Sequence, residues 1–134
     1  MMTDNIKALV SYRLEQACES LAASRVLFEQ GLLRPSINRA YYAMFYSVLA
    51  LLTTRREESS RHGRVIALFD KDFVKTGVFS KQFSRWFHEA FDLRQRSDYS
   101  PQFLPSEEDA KGVMDQATSF VTEINAKVGS MTSL

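Results

Sequence analysis

The chain has 134 residues, of which 45% are hydrophobic and 25% are charged, and its formal net charge is +1. These values are typical of one folded domain and exclude a disordered or fibrous chain. A single cysteine, Cys18, excludes an internal disulfide and a cysteine-based metal cluster. We predict that Cys18 packs in the core, because it follows Ala17 on an apolar helical stripe.

Apolar residues recur at steps of three and four in the first half of the chain, which predicts two long helices. The first covers residues 4–30 and ends at Gly31. The second begins near Pro35, since proline is favoured at a first helical position, and reaches about Thr54. Apolar side chains cover most of this second helix, so we place it at the centre of the fold.

The second half of the chain is predicted to hold three more helices. A polar loop at 55–61 precedes a helix over about 62–75, and a further helix covers about 81–98 with Ser80 as its cap. The last helix starts at Ser106 and carries acidic residues in its first turn, where they suit the helix dipole.

These elements define the expected architecture. The last helix is predicted to end at Gly129, and residues 130–134 to form a frayed tail. No segment alternates as a half-buried strand does. The sequence therefore predicts an all-α, up-down bundle of about five helices, with a single domain over residues 1–129.

The charges are unevenly distributed along the chain. Residues 55–96 carry ten Lys or Arg and six Asp or Glu, whereas residues 97–134 carry two and six. A basic middle could face an anion such as RNA or a nucleotide. Alternatively, the basic and acidic regions face each other within the bundle or across a dimer.

Several familiar kinds of site are missing from the sequence. There is no glycine-rich phosphate loop and no Gly-x-Ser-x-Gly turn. The two histidines, His62 and His88, are far apart in the chain, which argues against a zinc site. We therefore predict no metal and no cofactor. No apolar run resembles a signal peptide or spans a bilayer, so we expect a cytoplasmic protein without a membrane partner.

Polar residues are unusually dense on the second predicted helix, where Ser36, Asn38, Arg39 and Tyr42 interrupt an apolar sequence. Asn38 and Tyr42 are four residues apart and share a helix face. Buried polar groups need partners, so these side chains either fix the register of neighbouring helices or bind a ligand.

Two further groups carry charge. Arg94 and Asp98 lie four residues apart near the end of the fourth helix and can pair. Before the third helix, Arg61, His62 and Arg64 belong to a basic group that also contains Arg55 and Arg56. Guanidinium groups bind phosphate, although such a loop can equally be a solvated surface.

These segments resemble the HEPN-domain family, over roughly residues 8–128. The similarity lies in three runs of sequence: Pro35–Phe45 with its Asn-Arg-Ala-Tyr-Tyr core, His62–Gly77, and Leu93–Tyr99 with Arg94, Asp98 and Tyr99. The resemblance implies an all-α homodimer, often encoded beside a minimal nucleotidyltransferase in a toxin–antitoxin or defence system. Many members of the family are metal-independent ribonucleases whose motif arginine is followed by a histidine.

This sequence departs from that active pattern, because Asp98 stands where the histidine is expected and Tyr99 follows it. Metal-free RNA cleavage needs groups that take and give protons near neutral pH, which suits an imidazole. A carboxylate paired with Arg94 is a poor proton donor, since the arginine favours its ionised form.

Three functions remain open. The first is a nucleotide- or RNA-binding interaction module that partners a nucleotidyltransferase and binds through Ser36, Asn38, Arg39, Tyr42, Arg61, His62 and Arg64. The second is a metal-independent endoribonuclease toxin in which Arg94 stabilises the phosphorane and Asp98, Tyr99 or His62 handles protons. The third is a dimeric scaffold whose polar residues serve structure alone.

Overall fold

The computed structural model describes residues 2–132, apart from the side chain of Thr132, and within them all regular structure is helical. It contains five α-helices: α1 (Asp4–Glu29), α2 (Leu33–Thr54), α3 (His62–Phe69), α4 (Lys81–Tyr99) and α5 (Glu107–Thr132). The predicted all-α architecture is confirmed. A π-helical turn at Asp70–Val74 extends α3.

The turn between α1 and α2 is closed by glycine. Gly31 has a φ of 76°, the left-handed conformation that favours this residue. Its amide donates to the carbonyl of Phe28, and the next amide, of Leu32, donates to Leu27. These two bonds satisfy the last carbonyls of α1 and turn the chain directly into α2.

Helix α2 is central to the bundle, as predicted, because it packs against each of the other four helices. It begins at Leu33, so Pro35 lies within its first turn and not at its start. Proline is tolerated there because the first four amides of a helix have no partner within it.

Three phenylalanine rings form an aromatic core that joins α3, α4 and α5. Phe69 of α3, Phe87 of α4 and Phe120 of α5 are fully buried, and their ring centroids lie 5.6–5.7 Å apart. These three rings fix how α3, α4 and α5 sit together, and therefore where the ends of α3 and α4 come to lie.

Helix boundaries differ from the sequence predictions at three places. The α3 prediction misses the π turn, whose Lys75 amide donates to the carbonyl of Asp70. Ser80 immediately precedes α4 at the cap position, as predicted, but its hydroxyl makes no capping bond. Helix α5 continues through Gly129 to Thr132, so the predicted end at Gly129 is wrong, and residues 133–134 lie outside the described residues.

The start of α5 is confirmed in detail. The amide of Asp109 donates to the Ser106 hydroxyl, and the amide of Ser106 donates to the Asp109 carboxylate, each at 3.0 Å. This reciprocal pair is a capping box in which aspartate replaces the usual glutamate.

Ser36 is fully buried and joins α2 to α1, which is the structural one of the two roles predicted for the polar residues of α2. Its hydroxyl donates to the carbonyl of Ser24, and the Ser24 hydroxyl donates to the carbonyl of Ser36, both at 2.8 Å. Both hydroxyls are thus satisfied within the bundle, so neither is left for a ligand.

We predict that Ser36→Ala lowers the free energy of unfolding by about 1 kcal/mol, because the Ser24 carbonyl loses its hydroxyl donor. Urea denaturation of this variant, and of Ser119→Ala as a control at an exposed serine of α5 outside the serine pair, measures the loss. Equal stability of both variants and the wild type would contradict the role of the serine pair.

Candidate functional site

The polar cluster of this protein lies where the first half of α2 meets the start of α3 and the end of α4. It is built around the guanidinium of Arg94, whose side chain is only 11% exposed. The Arg94 Nε lies 3.0 Å from Oδ2 of Asp98, four residues later. The predicted pair therefore forms as an ionic contact. The Nε–H bond of Arg94 does not point at the carboxylate closely enough to make a hydrogen bond.

Hydroxyl groups hold the rest of the Arg94 guanidinium. Its Nη2 donates to the hydroxyls of Tyr42 and Tyr99, at 3.2 and 3.4 Å. Its Nη1 donates to the side chain of Gln95 at 3.2 Å. These bonds are at the long end of the range for N–H···O, so an anion could replace one of them with a shorter, charge-assisted bond.

Asn38 links α2 to the Asp98 carboxylate. Its Nδ2 donates to Asp98 Oδ2 at 2.8 Å, while its Oδ1 accepts from the Nε and Nη2 of Arg39 at 3.0 and 2.9 Å. The Arg39 guanidinium lies 4.9 Å from the centre of the Tyr42 ring, a cation–π distance. Three predicted residues of α2 and three of α4 thus form one connected network.

His62 belongs to the same cluster although it is far from Arg94 in sequence. It begins α3, and its ring stacks on Phe45 with centroids 4.5 Å apart. Its Nδ1 lies 2.6 Å from the hydroxyl of Tyr41. Burial lowers the pKa of His62, and the positive charge of Arg94 lowers it further, so the imidazole is neutral at neutral pH.

The two predicted arginines beside His62 remain on the surface. Arg61 and Arg64 are exposed at the start of α3, so they flank the cluster without being part of its hydrogen-bond network. Arg55 turns away from it, with its guanidinium 4.6 Å from the centre of the Phe73 ring. The arginines of the basic loop therefore lie in two places: Arg61 and Arg64 beside the cluster, and Arg55 against Phe73 of the π turn.

Sequence reasoning missed two contributors. Tyr41 looked like a core residue of the α2 stripe, and it is fully buried, but its hydroxyl reaches His62. Arg34 donates its Nε to the carbonyl of Ser97 at 3.1 Å and its Nη2 to the carbonyl of Phe103. Arg34 thereby fixes the last turn of α4, from which Asp98 and Tyr99 project. The pairing of such distant residues leaves no periodic signal in the chain.

Two other predicted residues lie elsewhere. Cys18 is exposed, which corrects its prediction as a core residue. The buried stripe of α1 includes Val10, Ala17 and Leu21, and a residue one step from Ala17 turns by about 100° toward solvent. His88 pairs with Asp70 at 2.7 Å on the surface of α4.

Within residues 2–132, no three His, Cys, Asp or Glu side chains gather as metal ligands would. The helices of this part of the chain also include none that combines the length and apolarity needed to cross a bilayer. The cluster therefore offers arginine, tyrosine, amide, carboxylate and imidazole groups, which bind anions and nucleobases through hydrogen bonds and ring contacts.

The fold is an all-α bundle with an arginine–aspartate pair on α4 that Asn38 and Tyr42 of α2 contact, and comparison with known proteins identifies its class. A model of the HEPN domain matches residues 10–127. The chain belongs to the HEPN-domain family. The predicted resemblance is confirmed.

Relatives in other organisms extend this finding. A protein of Methanocaldococcus jannaschii named "Putative toxin MJ0605" is 34% identical over 92% of each chain. A "UPF0332 protein" of Thermotoga maritima is 33% identical over 87% of this chain and 88% of its own. "Putative toxin MJ0142" of M. jannaschii is 31% identical over 82% of this chain and 75% of its own. The relatives of this HEPN-domain chain thus include two proteins that are named as toxins.

We predict that Arg34→Lys lowers the free energy of unfolding by about 1–2 kcal/mol, because one ammonium group cannot replace the planar fork that reaches both carbonyls. Arg25→Lys is the matched control, since Arg25 makes a single exposed bond, to Thr118 on α5. Thermal or urea unfolding compares the two, and equal losses would contradict the anchoring role of Arg34.

Proposed function

We propose that this protein binds the phosphates of RNA or a nucleotide at the Arg94 cluster, as a homodimeric toxin-type module that partners a nucleotidyltransferase. One observation carries the proposal. Asn38 and Asp98 are sixty residues apart in sequence, and they meet beside Arg94. The guanidinium of Arg94 is held by long hydrogen bonds to Tyr42 and Tyr99, which a ligand can replace.

The charges of the cluster favour an anionic ligand. Arg94 and Arg39 are within the network, Arg61 and Arg64 lie exposed at the start of α3, and Asp98 pairs with Arg94. A phosphate that approaches Arg94 needs to displace only the Tyr99 hydroxyl, whose residue is 67% exposed. The freed tyrosine ring could then stack on a base, as aromatic residues do in single-strand binding.

The partner and the assembly are supported by the relatives and by the family. Two relatives carry the name of a toxin, and toxins of such systems are controlled by a partner protein. HEPN proteins are commonly encoded beside a minimal nucleotidyltransferase and form homodimers. Light scattering of the purified chain tests the dimer, and co-expression with a neighbouring nucleotidyltransferase tests the complex by co-purification.

We predict that a short labelled single-stranded RNA binds the wild-type protein and that Arg94→Gln weakens binding by about tenfold or more, since the variant cannot make a charge-assisted bond to phosphate. Arg85→Gln is the control. Arg85 is exposed on α4, and its position nine residues before Arg94 places it on roughly the opposite side of that helix. Fluorescence anisotropy at about 50 and 200 mM salt gives the affinities and their salt dependence.

A second variant keeps this test independent of folding. Arg61→Gln combined with Arg64→Gln changes two exposed side chains, and it should weaken RNA binding. It should also reduce the slope of affinity against salt by about one for each arginine that binds a phosphate in the wild type. If the wild type binds neither RNA nor nucleotide, while Arg94→Gln lowers only thermal stability, the cluster is a structural element and the proposal is wrong.

A second candidate is a metal-independent endoribonuclease, and the position of His62 favours it. In that reaction the 2′-oxygen of a ribose attacks phosphorus, the bond from phosphorus to the 5′-oxygen breaks, and a cyclic phosphate and a 5′-hydroxyl result. One group removes the 2′-hydroxyl proton and another protonates the leaving oxygen. His62 supplies an imidazole near Arg94, although Asp98 replaces the usual motif histidine.

If this second candidate is right, the wild type cleaves a mixed labelled RNA pool in the presence of EDTA, whereas Arg94→Ala and His62→Ala do not. Arg85→Ala should cleave as the wild type does. Gel analysis of the products measures this, and intact RNA with a folded wild-type protein would leave binding as the function.

A further inference from the structure

Tyr41 and His62 form the shortest contact between side chains of the cluster. The Tyr41 hydroxyl lies 2.6 Å from Nδ1 of His62, and the two rings lie face to face with centroids 5.6 Å apart. Tyr41 is 0% exposed. Its hydroxyl therefore depends on His62 for the hydrogen bond that water would otherwise supply.

The direction of this bond follows from the partners that are present. A tyrosine hydroxyl has one proton to donate, and leaving a buried donor without an acceptor costs about 1–3 kcal/mol. Within the described residues, His62 Nδ1 is the one hydrogen-bond partner of the Tyr41 hydroxyl. The hydroxyl therefore donates and Nδ1 accepts, which requires Nδ1 to carry no proton.

The protonation states of both residues agree with this direction. Burial raises the pKa of Tyr41 well above its usual value. Tyr42 raises this pKa further, whereas the charge of Arg94 lowers it by a smaller amount, so the hydroxyl keeps its proton. Burial and then Arg94 lower the pKa of His62, so the ring carries a single proton at neutral pH. With Nδ1 occupied as an acceptor, that proton is on Nε2.

The Nε2 group is available for a ligand. Among residues 2–132 it has no hydrogen-bond partner, and it is not one of the enclosed side-chain atoms that lack a partner. The ring is half-buried against Phe45, so its plane is fixed by stacking while the Nε2 side reaches solvent. Arg94 from α4, and Arg61 and Arg64 from the start of α3, make the surroundings positive.

We propose that Tyr41 is a positioning residue that holds His62 with its proton on Nε2, so that His62 donates a hydrogen bond to an anionic phosphate oxygen bound beside Arg94. The role of His62 toward a ligand rests on the proposed function, whereas the fixed proton position does not. Tyr41 acts only through His62 and does not itself touch the ligand.

The first experiment measures the proton position without any ligand. Long-range ¹H–¹⁵N correlation spectra of the wild type, assigned with His62→Gln, should show His62 Nδ1 as an unprotonated acceptor and Nε2 as protonated at pH 7. Tyr41→Phe should shift the Nδ1 resonance toward that of a nitrogen without a hydrogen bond. Tyr46→Phe removes a hydroxyl from the same helix and should leave the His62 resonances unchanged. A wild-type spectrum with the proton on Nδ1 would overturn the proposal.

The second experiment measures RNA affinity with two replacements for histidine. The amide nitrogen of Gln reaches the place of Nε2, and that of Asn reaches the place of Nδ1. His62→Gln should therefore bind the labelled RNA about tenfold more tightly than His62→Asn, as one hydrogen bond to a charged group predicts. Tyr41→Phe should weaken binding about threefold or more, and Tyr46→Phe should not.

The dependence on pH separates a neutral donor from an imidazolium. A neutral His62 gives the same RNA affinity from about pH 7.5 to 8.5, because a ring whose pKa lies below the usual 6.5 stays largely neutral in this range. Affinity that rises as the pH falls through this range, and no longer does so in His62→Gln, would overturn the proposal. If the spectra show the expected proton position but no RNA binds, the proposed function fails and the role of Tyr41 in fixing His62 stands.

Discussion

The neutralisation of Arg94 is the constraint on which the rest of the cluster depends. A guanidinium that is nearly nine-tenths covered is largely removed from water, and leaving it without a counterion would cost several kcal/mol. Asp98 supplies the opposite charge from one helical turn away. Asn38 in turn orients Asp98, and Arg34 fixes the turn of α4 that carries it. Asn38 and Arg34 both reach from α2 to α4, so the groups that hold the charge pair also determine how the two helices sit together.

The fold stabilises this arrangement by surrounding the charge with aromatic rings. Arg94 lies 5.3 Å from the ring centres of Tyr42 and Tyr99 and 5.9 Å from that of Tyr41. Such rings attract a cation while excluding water. Tyr41 and Tyr42 also pack against His62, in a half-buried place where burial and the charge of Arg94 keep it neutral. The cation and the imidazole are therefore parts of one electrostatic unit, in which a change at Arg94 alters the protonation of His62.

Local patterns in the sequence predicted the helices and the contacts within them. The i, i+4 spacing of Arg94 and Asp98, the capping residues at Ser106 and the central place of α2 are all confirmed, because each depends on neighbours within one or two turns or on the apolar character of one helix. Predictions failed where the position of a side chain depends on its rotation about the helix axis, or where a contact joins residues that are far apart in the chain. Cys18 was assigned to the buried side of α1, although it lies about 100° around the helix axis from Ala17. The contact of Tyr41 with His62 joins residues 21 positions apart, and only the packing of α3 on α2 brings it about.

The replacement of a motif histidine by Asp98 changes what this cluster is suited to do. Asp98 accepts a hydrogen bond from Asn38 and lies 3.0 Å from Nε of Arg94, so it serves as the counterion of that arginine. In the proposed tautomer of His62, Nδ1 accepts a hydrogen bond from the Tyr41 hydroxyl and Nε2 carries the proton, so His62 acts toward a ligand as a hydrogen-bond donor. Arginine donors, the counterion Asp98 and a tyrosine hydroxyl that an anion can replace are the features of the cluster on which the proposed binding of a phosphate rests.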